Sequence, residues 1–120
     1  MLARAATWVV LSLVSPVALA AGIDCEAIDK SASERADVIQ GYQSGRDVIG
    51  KGRAQFYSAP DHRCPMAGAF LVPRDGVNAY LEVDGFTFVL YFNPRTEVDT
   101  EGWIETSRLR INGVGISPQQ

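Results

Sequence analysis

The fold is decided by residues 85–104, GFTFVLYFNPRTEVDTEGWI. Residues 86–92 are rich in aromatic and β-branched side chains and are too few for a typical helix, so they are predicted to form a strand. Asn93-Pro94 ends this strand, because proline has no backbone N–H to donate to a neighbouring strand. Residues 93–102 are predicted to form a turn-rich connection, and a second strand begins at Trp103.

The predicted strand 86–92 has two faces, because successive side chains in a strand point to opposite sides. Both faces are largely apolar, whereas a strand with one solvated side alternates apolar with polar residues. The strand is therefore either covered on both sides or offers one apolar face to a partner, and cover by the same chain is preferred. Whether the face of Phe88, Leu90 and Phe92 is core or interface stays open. The faces are Phe86, Phe88, Leu90 and Phe92 on one side, and Thr87, Val89 and Tyr91 on the other.

Residues 1–20 have the pattern of a signal peptide. Arg4 supplies the positive charge, an apolar run follows it, and Ala18-Leu19-Ala20 fits the small-x-small cleavage rule. We therefore expect cleavage after Ala20 and a periplasmic or secreted protein. The alternative, an uncleaved membrane anchor, ranks second because the apolar run is short for a span of about 20 residues.

The charge of the chain is mildly acidic. The sequence has 11 Lys and Arg residues against 14 Asp and Glu residues, a net charge of −3, and loss of Arg4 with the signal peptide would bring it to −4. This balance argues against a nucleic-acid module, which normally shows a basic patch, and against electrostatic attachment to anionic lipid. We therefore expect no nucleic-acid partner and, after cleavage, no membrane partner.

The chain has two cysteines, Cys25 and Cys64. Because the signal peptide directs them to an oxidising compartment, they are predicted to form a disulfide, and two free thiols are the second alternative. Two cysteines and the single histidine, His62, do not form a metal-ligand set with a recognised spacing. No metal and no cofactor is therefore expected.

One helix is predicted at the start of the mature chain, within an N-terminal helical segment taken as residues 21–47. Apolar residues recur at helical spacing over residues 26–43, and Ser31 with Glu34 resembles a capping box that would place the helix start nearby. The apolar stripe is narrow, so the helix is expected to lie on the sheet, on the side of Phe86, Phe88 and Leu90. Without that cover, this face becomes a candidate binding surface.

Residues 48–114 are predicted to form a small β-barrel of five to six strands, which makes the protein mainly β. Short runs with strand character are separated by turn signals, of which Asp84-Gly85 is the strongest because that pair favours a two-residue hairpin. Residues 106–109 are expected to form one helical turn, and residues 115–120 a flexible tail. The predicted strands are 53–57, 70–72, 77–83, 86–92, one beginning at Trp103, and 110–114.

Residues 48–112 resemble a bacterial SH3-like domain. Four motifs carry the resemblance: FYSAPD at 56–61, DGFTFVLY at 84–91, GWI at 102–104 and SRL at 107–109. The chain departs from the family's pattern in its N-terminal helix, its disulfide and its acidic loop 95–101. The resemblance implies an SH3-like barrel that binds peptides, proteins or peptidoglycan and is rarely catalytic.

No catalytic role is assigned to any residue. Ser58, Asp61 and His62 have the residue types of a hydrolytic triad, but they lie within one turn, whereas triad residues normally come from separate segments. Cys64 has a predicted disulfide partner, and the carboxylates of the 95–101 loop lack the spacing of a calcium-binding loop. The chain is therefore expected not to be an enzyme.

Six residues are predicted to contribute to binding. Tyrosine is favoured at binding surfaces because it presents a rigid ring with a polar tip. By analogy with SH3-like grooves, the strand end at Tyr57, the turn that follows it and the loop 93–101 are expected to line one site. The predicted binding residues are Tyr57, Asp61, Arg63, Tyr80, Tyr91 and Asn93.

Three functions compete at this point. The first is a periplasmic module that binds a protein partner, in its sharpest form an immunity or inhibitor protein against a cell-wall-degrading toxin or lysozyme. The second is a peptidoglycan-binding cell-wall module. An enzyme ranks third, because no titratable group stands out as essential for turnover.

Overall fold

A computed structural model of the protein describes residues 22–115, together with residues 5, 7 and 9–11. The predicted signal peptide 1–20 lies outside the described residues except for the isolated positions, and its cleavage site after Ala20 is not among them. The predicted tail 115–120 lies outside them except for residue 115. Among the described residues, no helix has the length and apolar character needed to cross a membrane.

The described chain is mainly β, with one N-terminal α-helix and eight strands. Two short 3₁₀ turns, Gly41–Gln43 and Thr106–Arg108, connect neighbouring elements. The helix is α1 (Cys25–Arg35), and the strands are β1 (Asp37–Val38), β2 (Gly45–Val48), β3 (Ala54–Tyr57), β4 (Pro65–Leu71), β5 (Gly76–Val83), β6 (Phe86–Asn93), β7 (Val98–Glu105) and β8 (Leu109–Ile111).

The strands form one antiparallel sheet in the order β4-β3-β7-β6-β5-β2-β8. The short strand β1 lies outside this order and pairs with β5. The sheet curls into a half-barrel, and the two strands at its ends are β4 and β8. The prediction of a mainly β fold with one N-terminal helix is confirmed. The predicted count of five to six strands is wrong, because β1 and β2 lie in the segment that was expected to be helical.

The predicted helix over residues 26–43 is also wrong beyond Arg35. Its start is set by Asp24, whose side-chain oxygen accepts a hydrogen bond from the Ala27 N–H at 3.0 Å, rather than by a cap at Ser31. Beyond the helix, Asp37 pairs with Glu82 of β5. Pairing with a distant strand therefore overrides the helical spacing of the apolar residues in this segment.

The β5–β6 hairpin forms where it was predicted. Asp84 and Gly85 have φ angles of 54° and 81°, the left-handed pair that a two-residue hairpin of this kind requires. The next hairpin is tighter than predicted, because β7 begins at Val98 and not at Trp103. Its ladder with β6 continues to the pair Asn93 and Val98, since charged residues on the solvated side of a strand do not interrupt backbone pairing.

The core lies on the concave side of the half-barrel. Thr87, Val89 and Tyr91 of β6 point into it, so the opposite face, beginning with Phe86 and Phe88, is the outer face of the sheet. The buried core residues are Val48, Ala54, Phe56, Leu71, Val77, Ala79, Val89, Ile104 and Leu109. Every strand from β2 to β8 contributes at least one of them, so the core is what curls the sheet.

Gly102 is required where β7 approaches β3. A Cβ atom at this position would lie 2.9 Å from Phe56 Cδ1 and 3.0 Å from Met66 Sδ, closer than side chains normally approach each other. The glycine lets β7 lie against β3 at the point where Tyr57 pairs with Trp103.

The helix covers the outer face at Trp103. This side chain is 0% exposed, its ring contacts Phe88 edge-on with 5.4 Å between centroids, and its indole N–H donates to Asp29 of α1 at 2.6 Å. The predicted Cys25–Cys64 disulfide is confirmed and ties the start of α1 to the segment between β3 and β4. In the chain-entropy model, a disulfide that closes a loop of this length stabilises the fold by roughly 4 kcal/mol.

Replacing Asp29 tests how strongly this contact holds the helix. We expect Asp29→Ala to lower the free energy of unfolding by about 1–3 kcal/mol, because the buried indole N–H loses its acceptor. Asp29→Asn should lower it less, since the amide keeps one acceptor oxygen. Urea unfolding followed by circular dichroism measures both changes.

The matched control is Lys30→Ala, which changes the exposed neighbour of Asp29 on the same helix. An Asp29→Ala variant as stable as the Lys30→Ala variant would show that the indole bond does not hold the helix.

Candidate functional site

The predicted binding residues fall on opposite faces of the sheet. Phe56 lies in the core, so the next residue of β3, Tyr57, points outward, whereas Tyr91 packs against the core from the inside. Asp61 and Arg63 follow Tyr57 in the β3–β4 turn. Tyr91 and Asn93 therefore belong to one surface and the Tyr57 group to another, and the single groove expected from SH3-like analogy is not assembled.

Tyr80 belongs to neither group. It lies on β5, where its backbone carbonyl accepts a hydrogen bond from the Ile39 N–H at 2.9 Å, and its side chain is partly exposed.

We call the first surface the inner cleft. It is a depression of about 360 Å³ at the open side of the half-barrel, between β4 and the β6–β7 hairpin. Aromatic and aliphatic side chains form its walls, and hydroxyl and amide groups lie at its rim. Its main lining residues are Phe56, Phe70, Tyr91, Asn93, Val98 and Thr100.

A bulge in β4 shapes one wall of the inner cleft. Gln55 pairs with Phe70 and Tyr57 pairs with Pro65, so β4 advances five residues where β3 advances two. The Gln55 side-chain amide supports this bulge, because its nitrogen lies within hydrogen-bond distance of three carbonyl oxygens. These belong to Phe56 (2.8 Å), Met66 (2.8 Å) and Ala69 (3.0 Å).

Phe70 lies at the edge of the cleft with a cation above it. The Arg53 guanidinium carbon is 4.0 Å from the centroid of the Phe70 ring, a cation–π contact. This contact orients the exposed ring. Sequence reasoning did not select Phe70, because its position at the cleft depends on the bulge and on a hairpin more than twenty residues away.

We call the second surface the outer cluster. The rings of Tyr57, His62 and Phe86 lie 5.0–5.6 Å from one another, in edge-on and tilted arrangements. His62 Nε2 is 2.6 Å from a carboxylate oxygen of Glu105. Glu105 was not selected from the sequence either, since it reaches His62 only because β7 pairs with β6 at Phe86.

Two pKa values in the outer cluster are displaced. The pKa of Tyr57 is raised, first by burial and second by the charge of Glu105. The pKa of Asp61 is lowered to about 2, mainly because Arg63 donates to both carboxylate oxygens, through Nε at 2.9 Å and Nη2 at 2.7 Å. The Arg63 backbone N–H adds a third hydrogen bond at 2.8 Å.

Each of the three residues with the chemistry of a hydrolytic triad interacts with a partner outside that set. The Ser58 hydroxyl donates to the Cys64 carbonyl, Asp61 is paired with Arg63, and His62 faces Glu105. Within residues 22–115, no group of three His, Cys, Asp or Glu side chains is placed to hold a metal ion. Ser58, Asp61 and His62 therefore do not form a hydrogen-bonded relay with one another.

Replacing Gln55 tests the origin of the inner cleft. We expect Gln55→Glu to lower the free energy of unfolding by about 3 kcal/mol, because a carboxylate would face three carbonyl oxygens in place of a donor. Gln55→Met, which keeps the length but has no donor, should cost about 1–2 kcal/mol. Urea unfolding at pH 7 measures both. Equal stability of the Glu and Met variants would show that the hydrogen bonds of the Gln55 amide do not support the bulge.

The Asp61–Arg63 pair predicts a pH dependence. Because the folded state lowers the pKa of Asp61 to about 2, the pair stabilises the fold above about pH 4, the value for an unfolded aspartate, and this contribution is lost as the pH falls towards 2. Asp61→Asn should therefore flatten the acid-dependent loss of stability between pH 4 and 2, as measured by urea unfolding. An unchanged slope would show that the pair does not form in solution.

The inner cleft and the outer cluster are built on opposite faces of the same three neighbouring strands, β3, β7 and β6, with β4 and its preceding turn at one side.

Comparisons with models of protein families, with curated proteins and with solved structures found no match to this chain.

Proposed function

We propose that the chain is a non-catalytic binding module of the bacterial SH3-like kind that acts in the periplasm or outside the cell and binds a protein partner. The observation that carries this proposal is the inner cleft, an opening of about 360 Å³ with aromatic walls where the sheet does not close. Pockets of this kind, apolar with a few polar groups, are typical binding sites.

The element order supports the SH3-like part of the proposal. The motif at 84–91 falls on a two-residue hairpin, and the motif at 102–104 falls on the strand that packs against β3. The motif at 107–109 spans the end of the 3₁₀ turn and the start of β8, the last strand. These three placements are what supports the SH3-like part of the proposal.

The disulfide supports the proposed compartment. Disulfides such as Cys25–Cys64 persist in the periplasm and outside the cell, and they are rare in the cytosol of most organisms. In this protein the bond also fixes α1 to the sheet. The proposal therefore places folding, as well as function, in an oxidising compartment.

The shape and chemistry of the inner cleft favour a protein partner. Tyr91 is a rigid ring beside the apolar Val98, and aromatic residues of this kind often dominate binding energy at protein interfaces. The acidic net charge of −3 adds attraction for a basic partner. In its sharpest form the module is an immunity or inhibitor protein against a cell-wall-degrading toxin or lysozyme.

A peptidoglycan ligand is the second candidate, and one observation favours it. The rim of the same cleft carries Asn93, Thr96 and Thr100 beside Tyr91, a combination of amide, hydroxyl and aromatic groups that also suits sugar rings and short peptides. The two candidates share one surface, so a single variant tests both.

The deciding variant is Val98→Asp, at a residue that lines the inner cleft and is 59% exposed. We expect the tagged full-length chain, expressed with its own N-terminal segment, to capture a defined protein from the periplasm or from the medium of competing cells. Val98→Asp should reduce this capture at least about tenfold, because docking of the partner would bury an unpaired charge in the apolar cleft. Quantitative mass spectrometry of the captured material measures the change.

The matched control is Val72→Asp, which introduces the same charge at a valine that is 43% exposed and does not line the cleft. In parallel, each variant is mixed with purified peptidoglycan sacculi over a range of salt concentrations. Saturable, salt-resistant pelleting that Val98→Asp abolishes would replace the protein partner with peptidoglycan. Equal capture by both valine variants would rule out the inner cleft as the binding surface.

A further inference from the structure

The outer face of β6 is covered at one end and open at the other. Near the helix, Phe88 packs against Trp103. Two and four residues further along the same face, Leu90 is partly exposed and Phe92 is 53% exposed. This end of the face is therefore open to solvent at Phe92, and the cover that the sequence predicts for the face is complete only near Phe88.

A groove begins at these two residues and crosses the outer face of the sheet. It has a volume of about 240 Å³, with Leu90 and Phe92 on one side and Val114 on the other. Between them lies Asn78 of β5, together with two glycines. The segment at Val114 is held near the sheet because its N–H donates to the Asn112 side chain at 2.8 Å and the Asn112 N–H donates to the Gly45 carbonyl at 3.0 Å.

Two carboxylates flank the apolar side of the groove. In the β6–β7 ladder Phe92 lies opposite Asp99, and Leu90 lies opposite Glu101. Directly opposed side chains of an antiparallel pair share one face and have Cβ atoms about 5 Å apart. Within residues 22–115, neither Asp99 nor Glu101 takes part in an ion pair.

Arg110 of β8 and Arg95 of the β6–β7 turn form no ion pair with these carboxylates. Arg110 is opposite Asp47 at the far edge of the sheet, and the Asp47 carboxylate accepts from the Asn112 amide at 2.9 Å. Arg95 lies in the β6–β7 turn, where its backbone N–H donates to Asn93. The groove thus joins an exposed aromatic ring to a negative edge.

We propose that this groove docks a lysine or arginine side chain that projects from a protein partner. The aliphatic stem of such a side chain would lie on Leu90 and Phe92, and its cationic end would reach Asp99 and Glu101. Long basic side chains bind in this way because their methylene groups are apolar and only their ends are charged. The face of the Phe92 ring adds attraction for the cation.

This inference rests on the proposed function only in that the occupant belongs to a protein. It adds a second contact surface on the other side of the β6–β7 hairpin from the inner cleft, and it specifies a basic partner. A partner that binds both surfaces would contact the hairpin on both of its faces.

The test uses the ¹⁵N-labelled protein, secreted from its full-length sequence, and a blocked synthetic pentapeptide that contains lysine and leucine. We expect the peptide to shift the backbone amide signals of Leu90, Phe92, Asp99, Glu101 and Val114. The Asp99→Asn/Glu101→Gln variant should bind the peptide about three- to tenfold more weakly, the range for loss of two exposed ion pairs. Phe92→Ser should weaken binding at low and high salt alike, because it removes the apolar contact.

The matched control is Glu26→Gln/Glu34→Gln, which removes two exposed carboxylates from α1 and changes the net charge equally. If this control variant binds the lysine peptide with an affinity within about twofold of that of the original protein, the result supports the site. Three outcomes overturn it: equal weakening in both double variants, shifts that map elsewhere, or equal binding of the corresponding glutamate peptide. None of these affects the valine variants of the inner cleft, so a failure here is distinct from a failure of the proposed function.

Discussion

The hydrogen bond from Trp103 to Asp29 is the contact on which the rest of the structure depends. Trp103 points away from the concave core, and a large aromatic side chain in that position must be covered because its exposure to water is unfavourable. The helix covers this side chain, and Asp29 accepts a hydrogen bond from the one polar atom of the indole. The disulfide at Cys25 links the helix covalently to the sheet. With one short helix on a curled sheet, only part of the outer face is protected.

The uncovered parts of the sheet are where binding is proposed, and they converge on one hairpin. At the far end of β6 and β7, Tyr91 and Val98 face the open side of the half-barrel, while Phe92 and Asp99 face outward. Val98 and Phe92, on the two faces of the hairpin, are both more than half exposed there. A two-sided hairpin of this kind offers apolar contacts on one side and a charged rim on the other, which is what the proposed binding to a protein partner would use.

Local signals in the sequence predicted the parts of the fold that depend on neighbouring residues. Asp84-Gly85 gave the hairpin through backbone conformation alone, and the two cysteines gave the disulfide. The strands β1 and β2 were missed because their pairing with β5 joins residues about thirty or more positions apart. For the site, the tyrosines were selected for their chemistry alone, and the alternation of β3 and β6 sends Tyr57 and Tyr91 to opposite faces. Phe70 and Glu105 were not found because their neighbours are set by a bulge and by strand register.

The Gln55-supported bulge has a consequence for solubility. β4 ends the sheet and contains no charged residue, and edge strands with exposed backbone groups are places where copies of a protein join into aggregates. Natural sheets prevent this with charges, proline or bulges on the edge. β4 begins with Pro65 and bulges before Phe70, so a second copy would find no regular ladder to extend. The amide that shapes the inner cleft within one molecule thus also helps to keep separate molecules apart.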